Sequence, residues 1–174
     1  MNAEQLRAIQ APFKNRYRED PSIAFITQRA QGTIEAEMIA CTVDTFAGPV
    51  EAGLHPATGG DGKSACSGDM LLEAVVGCAG VTLKAVATAM GITIRAGRVT
   101  AEGDIDFRGT LGVKKEVPVG FTAIRLRFDL DTDAGPDQLA TLVKLTERYC
   151  VVYQTLKSPP PISTSHHVGS ASRR

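Results

Sequence analysis

Between residues 70 and 90 only Glu73 and Lys84 carry charge, and nearly every other position is apolar or small. A helix that is apolar on all sides has to be covered on several sides, so this segment belongs at the centre of the fold. Its ends are marked by Ser67 as a candidate N-cap, Asp69 in the first turn and Gly91 just past the last turn. The two charges favour a buried helix over a membrane span. A chain of 174 residues is large enough to remove roughly 70% of its unfolded surface from water, yet one long apolar helix is hard to cover at that size. The difficulty favours an oligomer in which a second chain supplies the missing layer.

The flanking segments read as strands and a second helix. Residues 3–10 suggest a short helix that stops at Pro12, and residues 23–43 suggest two strands around a turn at Gln31-Gly32. Glycines and prolines crowd residues 46–68, which suits a strand followed by a surface loop. In residues 99–107, Val99, Ala101, Gly103, Ile105 and Phe107 alternate with polar residues; Ile124, Leu126, Phe128 and Leu130 repeat that pattern. Pro136 fits the first position of a helix that carries Leu139, Leu142, Val143, Thr146, Cys150 and Tyr153 on one face and ends before Pro159. Residues 161–165 could add an edge strand. Strands, helix, strands, helix in that order argue for an α+β fold. One domain is expected over residues 1–165, with a helical extension at 1–20 and a flexible tail at 166–174.

Lysine plus arginine and aspartate plus glutamate each number 19. No block of like charge is present to recruit nucleic acid or an anionic membrane. The charged N-terminus offers no apolar signal-peptide core, so a cytoplasmic location is expected. Four cysteines, Cys41, Cys66, Cys78 and Cys150, lie far apart without a CxxC pair, which points away from a zinc ribbon or a secreted disulfide framework. A free cysteine usually packs as a small hydrophobe, and Cys41 reads as strand packing and Cys66 as a loop thiol. His55 reads as a structural residue of the glycine-rich loop. Cys78 differs in having Gly77 and Gly80 beside it inside a helix, at about 1 kcal/mol each relative to alanine, which calls for a packing or access reason.

Two motifs carry a resemblance. The glycine-rich loop at Gly59-Gly60 followed by Leu71-Leu72-Glu73-Ala74-Val75-Val76-Gly77-Cys78-Ala79-Gly80-Val81-Thr82-Leu83 resembles the helix that bears the peroxidatic cysteine in the OsmC/Ohr family. Glu147-Arg148-Tyr149-Cys150-Val151-Val152-Tyr153-Gln154-Thr155-Leu156 resembles that family's second-cysteine helix, after two strands and a loop. The likeness runs over roughly residues 50–165. It implies antiparallel sheets packed around a long cysteine-bearing helix in an intertwined homodimer. It also implies a peroxidase in which Cys78 attacks an organic hydroperoxide and Cys150 resolves the sulfenic acid as a disulfide. An external dithiol reductant would recycle the pair, with no metal or other cofactor.

A thiol with a pKa near 8.5 is only a few per cent ionised at neutral pH, and burial raises that pKa. Cys78 lies about three turns into its helix, beyond the reach of the macrodipole. A guanidinium about 4 Å away would contribute on the order of 4 kcal/mol, more than the roughly 2 kcal/mol required. The family uses an arginine from the early strand region held by a glutamate. By position Arg29 is the candidate arginine, with Arg16 and Arg18 as substitutes, although all three also read as solvated surface charges. Asp69 is the nearest acid, one residue displaced and one methylene shorter than the family's glutamate, with Gly68 in the matching slot. Val151 stands where many members have proline. Leu71, Val75 and Tyr153 are expected to line an apolar substrate pocket. A non-enzymatic redox sensor or binder of small hydrophobic ligands on the same fold is the alternative. A zinc site made of Cys78, Cys150 and a histidine is disfavoured because His166 and His167 lie in the tail.

Overall fold

The computed structural model describes residues 1–168; the end of the expected tail, residues 169–174, lies outside the described residues. The first helix, α1 (Ala3–Glu19), starts in a capping box in which the Asn2 side chain accepts from the Gln5 amide and Gln5 accepts from the Asn2 amide, both at 2.9 Å. It runs through Pro12, where the sequence suggested a stop. Proline removes one helical hydrogen bond at a cost of about 3 kcal/mol. The later turns still close, down to Asp20 N–H donating to the Arg16 carbonyl at 2.8 Å, and the helix lies along the central helix.

A four-stranded sheet follows: β1 (Gly32–Ile34), β2 (Ala40–Thr45), β3 (Gly48–Gly53) and β4 (Ala65–Cys66), in the spatial order β1-β2-β3-β4. All pairs are antiparallel except β3 with β4. The first strand begins later than the sequence implied, and the turn falls at residues 35–39 instead of Gln31-Gly32. Asp20 caps a 3-10 turn that holds Pro21–Ala24 out of extended geometry, and residues 25–31 are irregular.

The central helix, α2 (Ser67–Met90), is N-capped by Cys66 rather than Ser67. Pairing of Cys66 with Gly53 keeps residue 66 extended until the helix begins. Gly91 ends it in the left-handed region at φ 71°, a conformation glycine adopts without penalty. The length and composition of α2 would also suit a membrane crossing; here it packs against α1, β5, α4 and α5.

The second sheet is a long ribbon of β5 (Ile94–Ile105) and β6 (Phe121–Thr132). The expected inward rows meet as pairs, Val99 with Phe128, Ala101 with Leu126 and Gly103 with Ile124. Phe107 leaves the strand for a short helix, α3 (Phe107–Thr110), because the Asp106 carboxylate caps it by accepting from the Arg108 amide at 3.0 Å. On the solvent face Arg95 pairs with Asp131 and Arg125 with Asp104; such exposed pairs contribute about 0–1 kcal/mol each.

The chain ends with α4 (Pro136–Tyr149) and α5 (Val151–Lys157). The sequence suggested one continuous helix here, but Cys150 is extended at φ −75°, ψ 110° and breaks it in two. The expected edge strand at 161–165 is not formed; residues 159–168 are irregular and exposed, and three consecutive prolines at 159–161 remove the amide donors a ladder needs. The core gathers Leu83, Ala87, Ile92 and Leu142, flanked by Phe128, Leu130 and Leu139. The fold is thus α+β, with antiparallel strands around one long helix.

Candidate active site

Cys78 lies midway along α2 and Cys150 in the break between α4 and α5, and the packing of α2 against both later helices brings the two thiols together. They are unbridged. Cys78 is half-buried, whereas Cys150 is fully buried at 0% exposure. The break supplies what a continuous helix would not. The first amides of a helix have no partner within it, and at the start of α5 those of Val151, Val152 and Tyr153 turn toward the sulfurs.

Burial alone would raise the Cys78 thiol. Hydrogen bonds from the Val152 amide, the Cys150 thiol, the Val151 amide and the Thr82 hydroxyl outweigh it, and Cys78 ends below its ordinary value. Cys150 moves the other way: burial is the largest cause, the neighbouring Cys78 adds to it, and the Tyr153 amide only partly opposes it. The pair is therefore asymmetric, with the more accessible sulfur ionising first and the buried one holding its proton toward it. Within this chain the Val151 and Val152 amides, and no guanidinium, act on Cys78 in the lowering direction.

The expected charge pair is not assembled within one chain. Arg29 is exposed in the irregular segment 25–31 and, among the described residues, makes no hydrogen bond or ion pair. Arg18 donates to the Asn15 side chain at 2.8 Å, away from the thiols, and Arg16 is exposed on α1. Asp69 occupies the first turn of α2 without an ion pair among the described residues. The glycines beside Cys78 are also not required by packing within the chain: a Cβ at Gly77 would meet nothing within 4 Å, and one at Gly80 would sit 3.6 Å from Val99, an ordinary contact.

Two of the cavities that adjoin the cysteine helix hold the expected pocket residues. Val75 and Tyr153 line one of about 460 Å³, together with Phe121, Leu126 and Leu156. Leu71 lines the other, of about 560 Å³, with Asp69, Leu72, His55 and Cys66. The three expected pocket residues are thus divided between neighbouring chambers. His55 stacks on Phe107 with ring centroids 4.8 Å apart, and its Nδ1 accepts from the Ala57 amide at 3.0 Å, a structural role. Cys41 is half-buried on β2. No cluster of three histidine, cysteine or acidic side chains suited to a metal occurs among the described residues. The groups that sequence reading passed over are the Val151 and Val152 amides, Thr82 and Phe121.

The sequence model described as OsmC-like protein matches residues 60–165. No curated protein matches the chain. Among solved structures, an OsmC-like protein from Mycoplasma pneumoniae is similar at 16% identity and a TM-score of 0.63, covering 77% of this chain and 89% of that one. An organic hydroperoxide resistance protein OsmC from Legionella pneumophila is similar at 13% identity and a TM-score of 0.60, over 77% and 93% of the two chains. The organic hydroperoxide resistance protein OhrB of Bacillus subtilis is similar at 17% identity and a TM-score of 0.52, over 76% and 93%. At these identities the likeness is one of fold.

Proposed function

The chain belongs to the OsmC-like protein family, and on that footing we propose that it is a thiol peroxidase that reduces organic hydroperoxides through Cys78 and Cys150. The Cys78 thiolate attacks the distal peroxide oxygen. The O–O bond breaks, the alkoxide leaves as an alcohol after taking up a proton, and Cys78 becomes a sulfenic acid. The Cys150 sulfur then displaces that oxygen as water and forms a disulfide. An external dithiol gives two electrons and two protons to restore both thiols, and no resident cofactor takes part. The observation that carries this reading is the meeting of two unbridged thiols, half-buried Cys78 and buried Cys150, where α2 packs against α4 and α5, and their ionisation is pushed in opposite directions. The thiol pushed down is the candidate nucleophile, and the one pushed up is its partner within reach.

In this reading the organic part of the substrate sits in the cavity lined by Val75 and Tyr153, each three residues along the chain from a cysteine. The working unit is a cytoplasmic homodimer; the exposed side of α2, where Val81 is 73% exposed, supports a second copy packing there. In that dimer Arg29 and Asp69 are the charges available to complete the site. One equivalent of cumene hydroperoxide should consume two thiols per chain and yield a Cys78–Cys150 linked peptide on mass mapping, and Cys78→Ser should consume no peroxide. Two free thiols after treatment, or equal activity in the variant, rejects the proposal.

The second reading is a redox sensor or ligand carrier, favoured by the lack of any cation touching Cys78 among the described residues. A sensor would form the disulfide once yet show no steady turnover when supplied with excess dithiothreitol.

A further inference from the structure

We propose that Gln154 is a positioning residue: its side-chain amide occupies the Glu147 carbonyl and so leaves the Val151 backbone amide free to face Cys78. This rests on the reading of Cys78 as the reactive thiol. In a continuous helix each amide donates to the carbonyl four residues back. The Val151 amide would then belong to Glu147, the Val152 amide to Arg148 and the Tyr153 amide to Tyr149. The regular ladder instead stops at Cys150, whose amide donates to the Thr146 carbonyl at 2.9 Å. It resumes at Gln154, whose backbone amide donates to the Cys150 carbonyl at 2.9 Å. The amides of residues 151–153, skipped by the ladder, are those that act on the sulfurs. The carbonyls they leave behind need other partners. Arg148 and Tyr149 are exposed, where water can meet the last carbonyls of a helix. Glu147 is half-buried, and its carbonyl accepts from Nε2 of Gln154 at 2.8 Å.

Helix geometry places the side chain for this task. Side chains of a helix lean toward its N-terminus, so Gln154, in the first turn of α5, reaches back over the break to the last turn of α4. Two donors thus compete for one half-buried carbonyl. While the Gln154 side chain holds it, the Val151 amide serves the thiol. Without that side chain, the Val151 amide is the donor that a helix assigns to Glu147, and its return closes the break and withdraws it from Cys78. Cys150 is the titratable group that bonds Cys78. Charged side chains on the elements packed there are Lys14 of α1, Glu73 and Lys84 of α2, Arg98 of β5, Glu147 and Arg148 of α4 and Lys157 of α5. Exchanging the exposed Gln154 for a neutral residue alters none of them.

Iodoacetamide alkylation of Cys78, followed across pH, reads the ionised fraction and needs no peroxide. Gln154→Met keeps the length of the side chain and removes its donor. One amide withdrawn from Cys78 corresponds to roughly two- to tenfold less thiolate near neutral pH, with the alkylation midpoint raised by about 0.3–1. Added to Val151→Pro, the same substitution should leave the midpoint where Val151→Pro alone puts it, because a proline has no amide to withdraw. A merely structural role would shift both backgrounds alike. A midpoint unmoved by Gln154→Met, or moved equally in the two backgrounds, overturns the proposal. If Gln154→Met lacks a cooperative thermal transition, Gln154→Ala takes its place and decides by the same comparison. A wild type that is alkylated at Cys78 yet consumes no cumene hydroperoxide removes the peroxidase reading, while the midpoints in the two backgrounds still decide the role of Gln154.

Discussion

The segment 67–157 and the segment 20–66 fold under opposite conditions. Every buried residue among those described lies in the later segment: Val75, Ala79, Leu83, Ala87, Ile92, Leu142, Thr146 and Cys150. The sheet β1–β4 buries none; together with its turns and the irregular segment before it, it carries Phe25, Ile34, Ile39 and Phe46, all largely exposed. One region closes a core from its own residues, and the other presents apolar surface that a single chain does not cover. Cys78 and Cys150 belong to the first and meet within one chain. Arg29 belongs to the second, and its expected partner is not met. Chemistry that depends on sulfur and amide geometry is therefore built by the self-sufficient half, whereas chemistry that depends on the early segment waits for whatever covers that segment.

The sharpest way to break this comparison is to delete matched apolar groups from the two regions. Leu142→Ala removes a fully buried side chain that packs with Leu83 and Ala87, and should cost about 2–5 kcal/mol in urea unfolding. Ile34→Ala, on a side chain 83% exposed, should cost less than about 0.5 kcal/mol in dilute monomer. Equal losses would mean that the two regions share one core.

A smaller effect is expected from a charge in the uncovered patch. Ile39 lies next to Ile34 and Met38 along a shallow concavity of the first sheet. If a second copy covers it, Ile39→Asp forfeits the burial of one large aliphatic side chain, about 1.5–3 kcal/mol. That corresponds to a dimer dissociation constant raised about tenfold or more in sedimentation equilibrium. Unfolding of the monomer should not change. An unaltered association would show that the patch faces solvent in the assembled protein as well.

What could be read from the sequence divides along similar lines. The span of α2 and its end at Gly91, the alternation along β5 and β6 and the helix start at Pro136 were legible from local periodicity and helix-end residues, although the N-cap falls on Cys66 and not Ser67. The passage of α1 through Pro12 was not, since the proline signal is local and the contact with α2 that accompanies the helix is not. Nor was the delayed start of β1, which follows the capped turn at Pro21–Ala24 and the irregular residues 25–31. At the site, the proximity of Cys78 and Cys150 was legible only through family resemblance, because 72 positions of chain separate them. The break at Cys150 left no trace in composition. Neither glycine nor proline marks it, and Val151 and Val152 continue the apolar pattern of the helix before them. The amides freed by that break were hidden with it.

Val151 also provides the finest cut through the comparison, because it tests whether the self-sufficient half activates its own thiol. Against burial, which raises it, its amide is one of the donors that hold Cys78 below the ordinary thiol value, after the Val152 amide and the Cys150 thiol. A proline has no amide hydrogen, and as first residue of α5 its fixed φ suits the position. Val151→Pro should therefore keep the fold and remove a single donor. An acidic group loses ionisation when a hydrogen bond to its charged form is removed, so the pKa of Cys78 must rise toward its ordinary value and the pH at which it becomes reactive must move up. One net hydrogen bond of about 0.5–1.5 kcal/mol corresponds to roughly two- to tenfold less thiolate near neutral pH. Iodoacetamide alkylation of Cys78, followed by mass spectrometry across pH, reads that fraction directly. A smaller drop would mean that the Val152 amide and Thr82 hydroxyl compensate, while a rate that increases on substitution would show that the valine amide does not act on the sulfur at all.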